Sequence, residues 1–432
     1  MGGLAAGGRG TGNGKRSGTR WIFLALAGLL VFSFPVPRSP FPVTSLEAQS
    51  DDGLQRMTRD VVPQVERAAG MRFRRPPVVL VRSREQVRQF LMRKIEMEYP
   101  PAELEASQRA YRAFRLIPDT LDLRRLMVDL YSEQVAGFYD PDSSALFVIR
   151  GADPTMVRLI LAHELVHALQ DQYTQLNSIL KLKRQNDRQM AGQAVMEGQA
   201  TLASLTAMAP GGQLPEMSRL WEAAREGIRQ QQSSMPVFAS APLIIQEGLL
   251  FPYLAGSEFV QQFEQLRASP DELPFNTNLP VTTEQVLHIS RYSRRERPVE
   301  ITIAASAGDT TVYEDNFGEF DTRAALMTWG VPEADAVAAA GGWNGDRYRV
   351  LGSRQGTVAV WVTAWDTPDD AREFERLLRS SWERTTRGRA GRRSAVEALD
   401  VNGVKVVRLI DAPASWTGWN RLPGIRIAAA QR

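Results

Sequence analysis

The sequence predicts an α+β protein, with a mainly helical domain carrying a small antiparallel sheet and a smaller C-terminal α+β domain after it. Three observations predict it. Apolar residues recur at helical spacing through much of the chain from Ser83 to Leu266. Short β-branched runs interrupt that pattern at Pro77–Val81 and Ala145–Ile149. After Gly341 the pattern changes to strands separated by one long helix. A chain of 432 residues with 43% hydrophobic and 23% charged side chains can build two or three cores, which excludes wholesale disorder and a polytopic membrane protein.

The first 50 residues read as an address. Residues 1–20 are Gly-rich with only basic charges, and Trp21–Phe34 is an uninterrupted apolar run closed by Pro35 and Pro37. Fourteen helical residues rise about 21 Å, short of a hydrocarbon core of about 30 Å, so a signal peptide or N-terminal anchor is expected. Ala48 is the best cleavage candidate, and Pro35–Ser50 is then a tether or the signal's end. The expected location is extracytoplasmic, secreted or held at the membrane by this segment alone. The formal charge of +3 is concentrated here: residues 1–50 hold five cations and one anion, leaving −1 for the rest, so nucleic acid is not an expected partner.

Residues 51–340 are read as the larger domain, its sheet-bearing part running to about 180, and 341–432 as the smaller one. Ser83 and Gln86 form a capping-box signature ahead of Val87, Phe90, Leu91 and Ile95. Helices are expected near Pro101–Phe114 and Leu121–Ala136, then a turn at Gly137–Asp142 and a strand at Ala145–Ile149. Further helices are expected at Asp153–Tyr173, Asp187–Met208 and Leu249–Leu266, with a break at Pro210–Pro215 and a proline-punctuated connector at Pro270–Pro280. Thr283 is a possible cap for the segment that follows. In the smaller domain, strands are expected at Tyr348–Leu351 and Val358–Ala364. A helix capped by Thr367 should follow, then a strand or hairpin around Asn402–Gly403.

The chain has no Cys, which excludes disulfides, thiolate metal sites and a cysteine nucleophile, and only three His. Two of them stand in LAHELVHAL as His163 and His167, flanking Glu164 in the order HExxH. Residues four apart share a helical face, so both imidazoles can reach one Zn2+ while Glu164 stands beside it as general base toward a zinc-bound water. The neighbours Ile160, Leu161, Leu165, Val166, Ala168 and Leu169 are uncharged, as a helix buried beneath a cleft requires. A catalytic zinc takes three protein ligands, and Glu197, alone among Ala191, Ala194, Gly198 and Ala200, is the expected third. The competing reading pairs Glu197 with an arginine such as Arg188. Asp171 and Thr201, each one turn beyond a ligand, are either second-shell partners or ordinary surface and packing residues. His288 is a candidate donor to the charge that develops on a substrate carbonyl, with a metal ligand or a plain core or surface histidine as alternatives. Tyr292 and Tyr139 are weaker donor candidates.

At these residues the chain resembles the gluzincin HExxH zinc metallopeptidases. More closely, it is similar to a group of exported bacterial proteins that share EQVAGFYDPDSSALFVI, LAHELVHALQDQY, VMEGQAT and TTEQVLH in this order and are grouped with the metallopeptidases. The resemblance spans Pro77–Tyr292, and more loosely GDRY and WDTPDDAREF. It implies a zincin-like fold for the larger domain, His163, His167 and Glu197 as ligands, and Glu164 as base. It also implies that Ala145–Ile149 is an antiparallel edge strand able to hold an extended peptide. Many gluzincins place Asp one turn after the ligand Glu, where this chain has Thr201. The expected function is an exported zinc metallopeptidase acting on a peptide or protein substrate. The competing expectation is a cell-envelope peptide-binding or assembly factor with a structural or vestigial zinc site. The sequence leaves the oligomeric state open.

Overall fold

The computed structural model describes residues 51–429 apart from 99, 135–136, 152–153, 181, 210–234 and 305–307. The N-terminal segment 1–50 and the expected break at Pro210–Pro215 lie outside the described residues. The protein is α+β. Its helical half comprises α1 (Asp51–Ala69), α2 (Arg84–Glu98), α3 (Pro101–Ala113), α4 (Leu123–Gln134), α5 (Pro154–Gln170), α6 (Leu176–Leu180), α7 (Asn186–Met208), α8 (Pro236–Ser240) and α9 (Leu243–Leu266). The short helices α10 (Thr283–Leu287) and α11 (Ile289–Ser293) lead to α12 (Gly318–Thr328), α13 (Glu333–Ala340) and α14 (Pro368–Thr386).

Local chemistry accounts for several boundaries. Gln86 N–H donates to Ser83 Oγ while Ser83 N–H donates to the Gln86 side chain, so α2 opens on the reciprocal pair its sequence predicts. Thr367 and Asp370 close the same box at α14, with Pro368 in the first turn. At α10 the cap is Thr282, whose side chain accepts from Gln285 N–H, whereas the expected cap Thr283 is drawn away to Asp187.

A three-stranded sheet stands against α5, formed by β1 (Val78–Arg82), β2 (Gly137–Asp140) and β3 (Ala145–Ile149) in the order β1-β3-β2. Here the structure corrects an expectation. Ala145–Ile149 is the central strand, antiparallel to β2 and parallel to β1, so both its sides are already paired. The reason is the Pro77–Val81 run: being apolar and β-branched, it takes the place beside β3 that an added peptide would need. The edge near α5 is β2.

The C-terminal sheet has five antiparallel strands in the order β5-β6-β7-β9-β8: β5 (Thr310–Asp315), β6 (Trp343–Ser353), β7 (Gly356–Trp365), β8 (Arg392–Val401) and β9 (Val404–Pro413). Its edge strand β5 comes from upstream of residue 341. Asn402 and Gly403, both with positive φ, make the two-residue turn between β8 and β9. Alternation along β7 divides two cores. Val358, Val360, Val362 and Ala364 face Ile301, Ile303 and Trp416, near the small two-stranded sheet of β4 (Glu300–Ile303) and β10 (Ile425–Ala428). Ala359, Trp361 and Trp365 face α14 through Phe374, Leu378 and Trp382, and this core runs on without a gap into the helical half. Trp329 Nε1–H donating to the Phe114 carbonyl is one of the ties across that junction.

At the centre α7 lies against α9, α5 and α1. From Asn186 to Ser204 every residue but Arg188 is buried. The approach to α9 requires glycine: a Cβ on Gly198 would fall under 3 Å from the Gly256 backbone, and one on Gly256 under 3 Å from the Ala194 carbonyl. The small face around Glu197 therefore serves the α7–α9 contact and fixes the depth at which Glu197 sits.

Candidate metal centre

The buried helix α5 turns His163 and His167 to the same side, toward Glu197 of α7. The three are 1%, 5% and 3% exposed. His163 Nε2 and His167 Nε2 lie 3.1 Å apart, and Glu197 Oε2 lies 3.2 Å from the first and 3.4 Å from the second. An ion about 2.0–2.2 Å from three ligands at tetrahedral angles spaces them about 3.3–3.6 Å apart. The triangle of one carboxylate oxygen and two ring nitrogens thus has the size and chemistry of a three-ligand metal site. Among the described residues it is the one group of three His, Asp or Glu side chains that could hold an ion. Arg188, the alternative partner for Glu197, is exposed at the start of α7 and reaches Gln185 instead.

The two imidazoles differ electrostatically: burial opposes the charge on His167, but the Glu197 carboxylate outweighs it and pushes that pKa up to about 9. Burial lowers the His163 pKa and so favours the neutral ring, the form that ligates. Burial opposes ionisation of Glu197, but the His167 charge and hydrogen bonds from both imidazoles outweigh it and hold the carboxyl down at about 2. Glu164 is fully buried. Its Oε2 accepts the Tyr139 backbone N–H at 2.7 Å, while Oε1 has no hydrogen-bond partner among the described residues. Burial is the main force that pushes this carboxyl up to about 8.

The other expected site residues fall elsewhere. Asp171 does not reach an imidazole: its Oδ2 accepts the Tyr139 hydroxyl proton at 2.8 Å, so it steadies the strand that holds Glu164. Thr201 is buried, and among the described residues its hydroxyl has no hydrogen-bond partner, so it does not hold Glu197. His288 sits between α10 and α11, 39% exposed at its side chain, with Nε2 bonded to Glu319 at 2.8 Å. It stands apart from the three converging ligands, and the Glu319 hydrogen bond raises its pKa. Tyr292 donates its hydroxyl proton to the Asn278 carbonyl.

Two residues that sequence reasoning missed complete the surroundings. Gln170 Oε1 lies 2.9 Å from His167 Nδ1, and its amide donates to the Met196 carbonyl and to Gln199 Oε1. It therefore does what was expected of Asp171, and the signal lay one residue earlier, at position i+3 from His167. Tyr253 of α9, buried, stacks at 6.2 Å from the His163 ring and hydrogen-bonds Glu197.

A family model described as a domain of unknown function, DUF8575, matches residues 258–413, less than half of the chain. The match starts in the last turns of α9 and ends with β9. It covers the five-stranded sheet and excludes His163, Glu164, His167, Glu197 and Tyr253. Nothing matches among curated proteins or among solved structures.

Proposed function

We propose that the protein is a zinc-dependent metallopeptidase of gluzincin type, exported by its N-terminal segment, with His163, His167 and Glu197 as ligands and Glu164 as general base. The observation that carries this reading is the combination of a 3.1–3.4 Å donor triangle with a fully buried glutamate whose Oε1 is uncommitted. When bound, zinc supplies Lewis-acid polarisation of a carbonyl and makes a neighbouring water more acidic.

The remaining work falls to the chain. Glu164, its Oε2 fixed by Tyr139 N–H, presents Oε1 to take a proton from the attacking water and hand it on to the leaving amine. Burial raises the proton affinity of this carboxyl, which suits a group that must take up a proton and then release it. Gln170 and Tyr253 hold the His167 ring and the Glu197 carboxylate from behind. Export rests on residues 1–50. Among the described residues, no helix is long and apolar enough to cross a membrane.

Elemental analysis and digestion of an unfolded protein test the reading. Wild type should carry about one zinc per chain and cleave. Glu164→Gln should keep the metal and lose at least about a hundredfold in kcat, and His163→Ala should lose both. Metal retained with no cleavage by wild type would favour the envelope binding or assembly factor. A wild type that takes up no metal would overturn both readings.

A further inference from the structure

Away from the metal centre, a cleft of about 530 Å³ opens where the start of α7 meets β4 and β6, and Arg184, Arg188, Arg297 and Arg347 line it. The acidic residues beside them are mostly committed. Asp187 accepts the Thr283 N–H and hydroxyl at 2.8 and 2.5 Å. Asp346 accepts Phe317 and Gly318 N–H and both the Trp343 and Trp361 indoles. Glu314 is shared by Arg347 and Arg349. Only Glu300, exposed at the start of β4, is left among the lining carboxylates.

The arginines are differently placed. Arg184, Arg188 and Arg297 are exposed and, among the described residues, have no carboxylate within ion-pair range. Arg188 has only a 3.4 Å contact to Gln185. Arg347 is pinned behind them by Glu314 and by donating to the Arg184 carbonyl at 2.8 Å. Three free guanidiniums lining one cleft, Arg188 from the first turn of α7 and Arg184 and Arg297 from the segments that lead into α7 and β4, exceed what one carboxylate engages, whereas the three or four oxygens of a phosphate can take several planar forks at once. The volume falls in the range of small-molecule sites, larger than a bare anion needs, and Val281, Val299 and Trp343 supply apolar wall.

We propose that this cleft binds the phosphate group of an organic phosphate through Arg184, Arg188 and Arg297. The group can belong to a free phosphate compound or to a phospholipid headgroup, and the test separates the two. Calorimetry of the full chain with inorganic pyrophosphate, in chelator so that the metal centre cannot take the anion, should show binding that weakens with added salt. The Arg188→Gln/Arg297→Gln variant should melt as wild type does and lose about a hundredfold in affinity, at about tenfold per charge-assisted contact. Arg188→Lys/Arg297→Lys, which keeps charge without the fork, should recover part of it. In flotation, extra binding to phosphatidylcholine vesicles when phosphatidylglycerol is added, lost in the Gln variant, assigns a lipid source. Binding through residues 1–50 would be common to both proteins. Pyrophosphate binding without that lipid dependence assigns a free phosphate. The absence of both, or binding that the Gln variant retains in full, overturns the proposal.

Discussion

Gln170 shows how much of a candidate metal site is built one bond behind the side chains that would ligate. Its carbonyl oxygen sets the His167 ring through Nδ1 while its amide is clamped to α7 at Met196 and Gln199, so one side chain registers the two ligand-bearing helices. Replacing it with Ala should leave the fold largely in place and weaken zinc affinity about 10–100-fold, measured by competition with a chromophoric chelator. An unchanged affinity would mean that packing alone orients His167. The convergence of His163, His167 and Glu197 is legible in the sequence because HExxH is a local pattern and because, without Cys, few residues remain to complete a site. Their partners were not legible. Asp171 and Thr201 lie at the expected offsets, but which side chain meets an imidazole depends on the direction of each rotamer between two helices. A donor such as Tyr253, more than 80 residues beyond His167, leaves no local trace at all.

At the scale of elements, the decisive feature is the glycine pair that lets α7 and α9 touch. A methyl at position 198 would meet backbone atoms of Gly256 and Ser257, which cannot rotate away, so the helices must part and carry Glu197 with them. Gly198→Ala should cost about 1–3 kcal/mol by urea denaturation and should reduce zinc uptake as well. Destabilisation with full zinc occupancy would show that Glu197 is positioned independently of the α7–α9 spacing. Amphipathic elements such as α14 were readable from periodicity, whereas α5 and α7, buried almost all round, have no polar face to give a period. They were found through their motifs. The strands β4, β5 and β10 escaped because they are short and their partners are remote: β10 pairs with residues more than 120 positions earlier. The placement of β3 was misjudged for a related reason, since parallel pairing with β1 across more than 60 residues has no hairpin signal between the strands.

On the scale of the whole molecule, the helical half and the C-terminal sheet are joined by buried acids. Asn186 at the head of α7 donates its backbone N–H to Asp315 and its side-chain amide to Asp321, and Asp187 is held by Thr283. Burial, outweighing the Asn186 hydrogen bond and aided by Asp346 and Asp315, pushes Asp321 up to about 7, and burial likewise brings Asp346 to about 6. An unfolded aspartate titrates near 3.9. The native state therefore holds protons that the unfolded chain has already released. The stability these groups contribute is complete below about pH 4 and is lost as pH rises through the folded-state values toward and beyond 7. Asp321→Asn keeps the size and an acceptor for Asn186 but cannot ionise. It should match wild type below about pH 4, exceed it increasingly as pH rises to about 7, by up to a few kcal/mol, and keep that margin above 7, with the gap following the titration of one group. Melting temperatures of the two proteins across that range decide the matter: curves that stay parallel would place a proton-free Asp321 in the junction, and its neighbours, not its own protonation, would then have to account for how the two halves hold together.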